Sequence, residues 1–331
     1  MEFQQKNIAL SLIEKQILIK KIKDTFERKL AKTLDLTRVS APILIDPTTG
    51  LQDDLSGTER KVEFDLGQTK HLLQVVQSLA KWKRFALEKY QFEMHKGLYT
   101  DMMAIRRDDL MDETHSIYVD QWDWEKIIDR QDRTIKYLKQ TVRKIAKAIV
   151  FTSQKLSKQT SKQLPTFSDK VFFITSEELL QMYPNLDSKQ REYQIVKKHK
   201  TVFILQIGDY LSNGEKHDNR APDYDDWQLN GDLMFYHEVL DIALEISSMG
   251  IRVDESSMKI QLEKAKQQQR MTLPYHKAVI EKQLPLTIGG GIGQSRLCML
   301  LLGCRHIGEV QSSFWPEQIK QECKQKHIEL L

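Results

Sequence analysis

Cysteine is scarce in this chain of 331 residues, with only Cys298, Cys304 and Cys323 present. An odd number of cysteines without CxxC spacing argues against a disulfide framework and against a thiolate zinc site. The 14 glycines and 8 prolines are too few for a collagen-like or low-complexity architecture. An excess of one charge sign is also missing, because 50 Lys and Arg against 46 Asp and Glu leave a net charge of +4. Charge alone therefore does not demand a nucleic-acid partner.

Long apolar runs are absent as well, and none approaches the ~20 residues that a membrane-spanning helix needs. The first residues, MEFQQK, do not show the basic-then-apolar pattern of a signal peptide. The 40% hydrophobic and 29% charged content is ordinary for a globular protein. We therefore expect a cytoplasmic protein in a reducing compartment, without a membrane partner. No linker or internal repeat divides the chain, so a single domain over residues 1–331 is predicted.

Apolar spacing gives a coarse prediction of the fold. Ile19, Ile22, Phe26 and Leu30 share one face of a helix that we expect to end near Leu34. A second amphipathic helix is predicted over residues 135–149, and its basic outer face is interpreted as solvated surface. Strands are predicted at 38–45 (interrupted by a proline that belongs at an edge or interface), 61–64, 117–119, 171–174, 202–207 and 233–235. The lack of a regular βαβ rhythm predicts an α/β protein of the α+β type, with a central mixed, mostly antiparallel sheet flanked by helices.

Polar residues concentrate on a predicted strand around residue 120. Because side chains alternate along a strand, Gln121 and Asp123 lie on one face, while Asp120, Trp122 and Trp124 lie on the other. Polar side chains in such a place are costly unless something pairs with them. A polar site on one face of the sheet is therefore predicted.

Three further segments carry more polar or glycine residues than packing requires. The segment 220–227 holds Asp223, Asp225 and Asp226, which form either an exposed acidic loop or a group of carboxylates around a cation or amino group. The acidic segment 50–57 is either a plain turn or part of a site. In the segment 287–302, glycines let the backbone approach a ligand ahead of a buried helix. No GxxxxGK[ST] loop is present, so ATP would have to bind by another route.

Several of these segments together resemble a known family. LTRVSAPIL, Arg106 and the Arg296 segment are similar to motifs 1, 2 and 3 of class II aminoacyl-tRNA synthetase catalytic cores. More narrowly, the chain resembles ammonia-dependent asparagine synthetase, also called aspartate–ammonia ligase, in eight segments that read LSGTERKV, SLAKWKR, GLYTDM, YVDQWDWE, RAPDYDDW, LNGDL, EISSMGIRV and TIGGGIGQSRL. The resemblance covers nearly the whole chain, from about residue 42 to residue 302.

The resemblance implies that L-aspartate, ammonia and ATP become asparagine, AMP and pyrophosphate through a β-aspartyl-adenylate. By resemblance, Arg106 holds the α-phosphate of ATP and Arg296 holds the γ-phosphate. Glu245 and Asp232 are expected at the ATP and would hold Mg²⁺. The motif 1 likeness further implies a homodimer.

The aspartate site is expected to contain both charge signs. Its candidates, beside Gln121 as the group that orients the reacting carboxylate, are Ser78, Lys83, Asp123 and Ser248. Asp53, Asp123 and Asp225 are expected around the substrate amino group and the incoming ammonium. One of these carboxylates would take the ammonium proton, and Asp53 is favoured over Asp225.

The chain departs from the family at two places, and two alternative functions remain. Ile246 stands where leucine is expected, which is a volume-conserving core exchange. Family members carry more residues between the Asp-Asp-Trp and Asn-Gly-Asp segments, where this chain has only Gln228 and Leu229. Residue 2 is Glu2 rather than the nucleophilic cysteine of glutamine-using enzymes, which favours free ammonia as the nitrogen donor. The alternatives are a class II aspartyl- or asparaginyl-tRNA synthetase-like enzyme and a non-catalytic paralogue. The first is disfavoured because no length is left for an anticodon-binding domain, so nucleic acid is not expected as a partner.

Overall fold

Helices and strands alternate irregularly along the computed structural model, which describes residues 10–53, 55, 59–160 and 162–331. In this part of the chain the helices are α1 (Leu12–Leu34), α2 (Ala80–Lys89), α3 (Ile135–Ser157), α4 (Ser176–Met182), α5 (Ser188–His199), α6 (Glu255–Lys264), α7 (Pro274–Ile280), α8 (Gln294–Leu302) and α9 (Glu317–Gln325). The strands are β1 (Leu36–Arg38), β2 (Leu44–Ile45), β3 (Glu63–Asp65), β4 (Leu72–Val75), β5 (Gly97–Ile105), β6 (Tyr118–Ile127), β7 (Phe172–Thr175), β8 (Thr201–Leu205), β9 (Asp225–His237), β10 (Ile242–Arg252) and β11 (Thr287–Gly293).

One large sheet organises these elements. Among the described residues it has eight strands, in the order β1-β5-β6-β11-β10-β9-β8-β7. Only the outer pairs β1–β5 and β7–β8 are parallel, and the inner pairs are antiparallel. The predicted mixed, mostly antiparallel sheet is therefore confirmed. The short strands β2, β4 and β3 form a separate small sheet.

The main core lies on one face of the large sheet, beneath α1, α3 and α8. Ser11 caps α1 together with Glu14, and the predicted apolar stripe of this helix is buried. The rings of Phe26 and Trp122 lie 4.8 Å apart. Trp122 and Trp124 are fully buried in this core. The opposite side chains of β6, Gln121 and Asp123, are thereby left for the other face, as the alternation predicts.

Some strand predictions need correction. The predicted strands at 117–119 and 233–235 are parts of the longer β6 and β9, while the strand predicted at 61–64 is β3, two residues later. The strand predicted at 38–45 is divided into β1 and β2, on either side of Pro42. Strands β4, β5, β10 and β11 were not predicted. Strands β5 and β10 were missed because they mix buried polar and apolar residues without clean alternation.

Two smaller features also bear on the predictions. Strand β9 runs without a break through Gln228 and Leu229, so the short connection noted in the sequence is continuous strand. The acidic segment 50–57 falls partly outside the described residues, namely at Asp54, Ser56 and Gly57. Within the described ranges, no helix combines the length and the apolar character needed to cross a bilayer.

Candidate active site

A cavity of about 310 Å³ opens where β6, β10 and β11 meet the start of α8. The predicted site residues that line it are Arg106, Gln121, Glu245, Ser248 and Arg296. Arg106 follows β5, and Arg296 lies in the first turn of α8. The fold therefore brings two arginines that are far apart in the chain to one cavity, as the resemblance requires.

The guanidinium groups of both arginines make few hydrogen bonds to the protein, and these are long. Nε of Arg106 lies 3.4 Å from the carbonyl oxygen of Gln77. Arg296 donates from Nη1 to the carbonyl oxygen of Glu245 at 3.2 Å, and its Nε lies 3.4 Å from that of Thr114. A guanidinium has five N–H donors in a planar fork that suits phosphate oxygens. These contacts leave donors on each arginine for an anionic ligand.

An acidic group lies on β9 and β10 beside Arg296. Asp232 is opposite Ser248 in the register of the two strands and forms an ion pair with Arg220. Burial raises the pKa of Asp232 to about 7 despite the Arg220 charge, and its Oδ1 has no hydrogen-bond partner among the described residues. Burial also acts to raise the pKa of Glu245, but the charges of Arg296 and Arg220 bring it below its ordinary value. Both carboxylates therefore lie where a further cation would stabilise them.

Behind the cavity, Lys83 and Asp123 form a buried ion pair. The Lys83 Nζ atom is 3.3 Å from Oδ2 of Asp123 and donates to the carbonyl oxygen of Gly290 at 3.0 Å. Burial lowers the pKa of Lys83, while the nearby Asp123 charge opposes that shift. Neither residue lines the cavity, but Asp123 is next to Gln121 on the same face of β6. A Cβ atom on Gly291 would lie 2.3 Å from Oε1 of Gln121 and 2.7 Å from Oδ1 of Asp123.

The two aspartates proposed to take a proton differ in their partners. Asp225 is 2.5 Å from Arg252, which also pairs with Glu125 at 2.7 Å. Asp53 is buried and accepts the backbone N–H of Leu55 at 2.9 Å. Burial raises the pKa of both Asp53 and Asp225.

Tyr224 places these two aspartates relative to the cavity. The tyrosine lines the cavity, and burial together with the charges of Asp53 and Asp225 raises its pKa well above the ordinary value. Neither carboxylate lines the cavity itself. The charges of both carboxylates nevertheless act on the phenol of Tyr224, which does line the cavity.

Ser78, a candidate contact for the aspartate substrate, hydrogen-bonds to neighbouring protein groups instead. Helix α2 begins at Ala80, and the Ser78 hydroxyl accepts the Ala80 N–H at 3.1 Å from just outside the helix. Ser78 also hydrogen-bonds Asp53. It does not line the cavity and contacts the site through that carboxylate.

The acidic segment 220–227 is buried around cations, so the interpretation as an exposed loop is wrong. Oδ2 of Asp223 lies 2.7 Å from Lys81, 2.9 Å from Arg270 and 2.9 Å from His276. Although burial acts to raise it, these charges hold the pKa of Asp223 well below its usual range. The cation-bound alternative is confirmed for this segment.

Sequence reasoning missed the cationic partners. They are Lys81 and Arg252 in the buried pairs, and Arg220 beside Asp232. The dense carboxylates indicated that cations must be near. They did not indicate which ones, because each partner except Arg220 lies far from its carboxylate in sequence.

Comparison with known proteins identifies the family. The model of the family AsnA, described as aspartate-ammonia ligase, matches residues 13–327. The chain belongs to the aspartate–ammonia ligase family. It is 53% identical over 323 residues to an aspartate–ammonia ligase of Clostridium tetani, covering 97% of this chain and 95% of that protein. It is 54% identical over 327 residues to one of Ruminiclostridium cellulolyticum, covering 98% of this chain and 96% of that protein.

Solved structures show that this ligase has the fold of a class II synthetase catalytic core. Asparaginyl-tRNA synthetases of Entamoeba histolytica and Pyrococcus horikoshii, both in complex with asparaginyl-adenylate, align with TM-scores of 0.63 and 0.63 at 14% and 14% identity. Each alignment covers 91% of this chain. The chain spans 66% of the first synthetase and 70% of the second. At such identity the likeness shows the fold alone, and it confirms the predicted fold class.

Gly291→Ala is expected to lower kcat/KM for aspartate by about 10²-fold, the cost of moving a positioning group by roughly 1 Å. The added methyl group would meet Gln121 and Asp123, which must shift. Steady-state kinetics with varied aspartate measure the effect, and the thermal midpoint reports folding. Gly67→Ala is the control, because its Cβ would meet nothing within 4 Å. An unchanged kcat/KM in a folded Gly291→Ala protein would contradict the placement of Gln121.

Proposed function

We propose that this chain makes L-asparagine from L-aspartate, ammonia and ATP through a β-aspartyl-adenylate, releasing AMP and pyrophosphate. Membership of the aspartate–ammonia ligase family supports this overall reaction. The observation that supports the mechanism is the single cavity lined by Arg106 and Arg296. A carboxylate is a poor electrophile, so it must be activated before ammonia can attack it. Attack of the β-carboxylate on the α-phosphate supplies that activation.

The two arginines have distinct proposed roles in that step. Arg106 would hold the α-phosphate and stabilise the negative charge on its oxygens while the bond to the aspartate oxygen forms. Arg296 would hold the γ-phosphate and thereby keep the leaving pyrophosphate in place. Phosphoryl transfer depends mainly on positioning and charge stabilisation, which two preorganised guanidinium groups provide.

Glu245 and Asp232 are the residues that would hold Mg²⁺. Magnesium is usually bound through one or two carboxylates together with substrate phosphates. The unpartnered Oδ1 of Asp232 and the ionised Glu245 fit such an ion. When bound, Mg²⁺ would neutralise charge on the phosphate oxygens. No cluster of three or more His, Cys, Asp or Glu able to hold a metal occurs in the described ranges, which is consistent with phosphates completing the coordination.

The aspartate would bind on the β6 side of the cavity. Gln121 would orient the reacting carboxylate, and Lys83, which pairs with Asp123 on the same face of β6, would attract a substrate carboxylate. Asp123 would attract the substrate amino group, with Ser78 and Ser248 as further polar contacts. The Lys83–Asp123 pair offers both charge signs to a substrate that carries both.

Asp53 is proposed to take the proton from ammonium. A general base works best with a pKa near the working pH, and burial moves the pKa of Asp53 upward. Burial also raises the pKa of Asp225, but this carboxylate is held in an ion pair with Arg252. Asp225 would therefore attract the ammonium ion rather than accept its proton.

Supplied with aspartate, ammonium, ATP and Mg²⁺, the protein is expected to form asparagine and AMP in equal amounts. Adenylate formation cuts ATP between its α- and β-phosphates, so ADP is not produced. Chromatography of nucleotides and amino acids measures both products, with ammonium omitted as the control for asparagine. Accumulation of ADP would contradict the adenylate route, and charging of tRNA with aspartate or asparagine would favour the synthetase alternative.

Arg106→Ala and Arg296→Ala are each expected to lower the rate of aspartate-dependent ATP–pyrophosphate exchange by about 10²–10⁵-fold, the range for lost transition-state charge clamps. Arg107→Ala is the matched control, because Arg107 is an exposed neighbour that does not line the cavity. A near-normal exchange rate in either cavity variant would refute the role proposed for that arginine.

We also propose that two copies of this chain associate through the motif 1 region. Large apolar side chains are exposed there, on α1 at Ile13 and Ile17, at Ile43 beside β2, and at Met103 and Ile105 on β5. Contiguous exposed apolar surface is typical of protein interfaces. The mass by light scattering is expected to be twice 38.8 kDa at micromolar concentration. A monomer mass would contradict the homodimer.

We also propose that the protein is cytoplasmic and has no nucleic-acid partner. All three cysteines are free and buried, which suits a reducing compartment. On the basic face of α3, Lys139 and Arg143 lie over the ring of Phe173, at 5.3 Å and 4.8 Å. These two cations are thus partly engaged within the fold.

A further inference from the structure

Helix α8 has no capping side chain of its own, although Arg296 lies in its first turn. The residue at the cap position is Gly293, and no side chain there accepts a backbone N–H. The first N–H groups of any helix lack partners within the helix and need them from elsewhere. The position of Arg296 therefore depends on what holds this helix start.

Asp120 supplies the missing acceptor from strand β6. Its Oδ1 accepts the Ser295 N–H at 3.0 Å, and Asp120 is 7% exposed. Its Oδ2 accepts from Lys23 of α1 at 3.0 Å. A carboxylate at a helix N-terminus satisfies an open donor and also matches the positive end of the helix dipole.

A buried amide completes this contact. Nε2 of Gln311 donates to the Ser295 hydroxyl at 3.1 Å and lies 3.4 Å from Oδ1 of Asp120. Oε1 of Gln311 accepts from the Ser116 hydroxyl at 2.5 Å. Asp120, Ser295 and Gln311 all line the same cavity as Arg296. The helix start is thus fixed by groups on two other segments, rather than by its own loop.

We propose that Asp120 is a positioning residue that holds the start of α8, and through it directs Arg296 into the cavity. The inference rests on the proposed role of Arg296 in binding ATP. Lys23 of α1 pairs with the other oxygen of Asp120 and not with the one that accepts the Ser295 N–H. The bond to Ser295, rather than this ion pair, determines where the helix begins.

The test measures aspartate-dependent ATP–pyrophosphate exchange, with KM for ATP and kcat determined separately. Asp120→Ala is expected to lower kcat/KM for ATP by about tenfold, in line with the loss of a helix cap. Asp120→Asn retains an oxygen acceptor and is expected to restore most of that loss. Lys23→Met removes only the ion pair and is expected to leave KM for ATP unchanged.

A double-mutant cycle with Arg296→Ala separates positioning from general stability. If Asp120 acts through Arg296, adding Asp120→Ala to Arg296→Ala should lower kcat/KM by less than about twofold more, because coupled residues are not additive. A merely structural role of Asp120 would lower the thermal midpoint and leave KM for ATP unchanged. The fold-losses in kcat/KM of the two single variants would then multiply in the double variant. That result, or a Lys23→Met defect as large as that of Asp120→Ala, would overturn the inference.

Two further outcomes are decisive. Loss of exchange in Arg296→Ala with normal kinetics in Asp120→Ala overturns the inference alone, whereas normal exchange in Arg296→Ala overturns the role of Arg296 and the inference with it.

If Asp120→Ala fails to fold, Gln311→Met takes its place in the cycle. It removes the bridging amide and retains Asp120, and a smaller, equally non-additive rise in KM for ATP is expected. An additive effect of Gln311→Met would contradict the proposal.

Discussion

The constraint on which this structure depends is the pairing of buried charge. A site for a triphosphate and a dicarboxylic amino acid needs guanidinium and carboxylate groups in one small volume. Removing such groups from water costs several kcal/mol per ion in effective terms, unless good geometry and hydrogen bonds compensate for it. The sheet meets this condition by facing carboxylates on β6 and β9 with cations from α2 and β10. Lys83 opposite Asp123 and Arg252 between Asp225 and Glu125 are the central examples.

These pairs also explain why the sheet tolerates polar strands. Glu125 accepts both the Arg252 guanidinium and the Thr287 hydroxyl at 2.6 Å, so both its oxygens are satisfied. A Cβ on Gly289 would lie 2.0 Å from Oε2 of Glu125. The small residues of β11 thus make room for the ion pairs, in addition to letting the backbone approach a ligand. One strand therefore contributes to both stability and access to the site.

Sequence could predict the frame of the fold and the identity of the cavity arginines. The spacing of Ile22, Phe26 and Leu30 gave the buried face of α1, and alternation on β6 separated Gln121 from Trp122 correctly. Strands β5 and β10 were not predictable in the same way, because polar and apolar residues are mixed along them and obscure the period of two. The partners of the buried carboxylates were also hidden, since the contact between Lys81 and Asp223 depends on tertiary packing.

Asp53 and Asp225 are the same type of residue but have different hydrogen-bond and ion-pair partners. The charges of Asp53 and Asp225 both act on Tyr224, and burial raises the pKa of each carboxylate. Asp225 is paired directly with a guanidinium at 2.5 Å, which favours its charged form. At Asp53 the charge of Lys81 acts in the same direction, together with hydrogen bonds from Ser78 and the Leu55 N–H. A carboxylate held by a fixed cation can attract ammonium but gains little by accepting its proton. The direct ion pair of Asp225 is therefore the reason for proposing Asp53 as the proton acceptor.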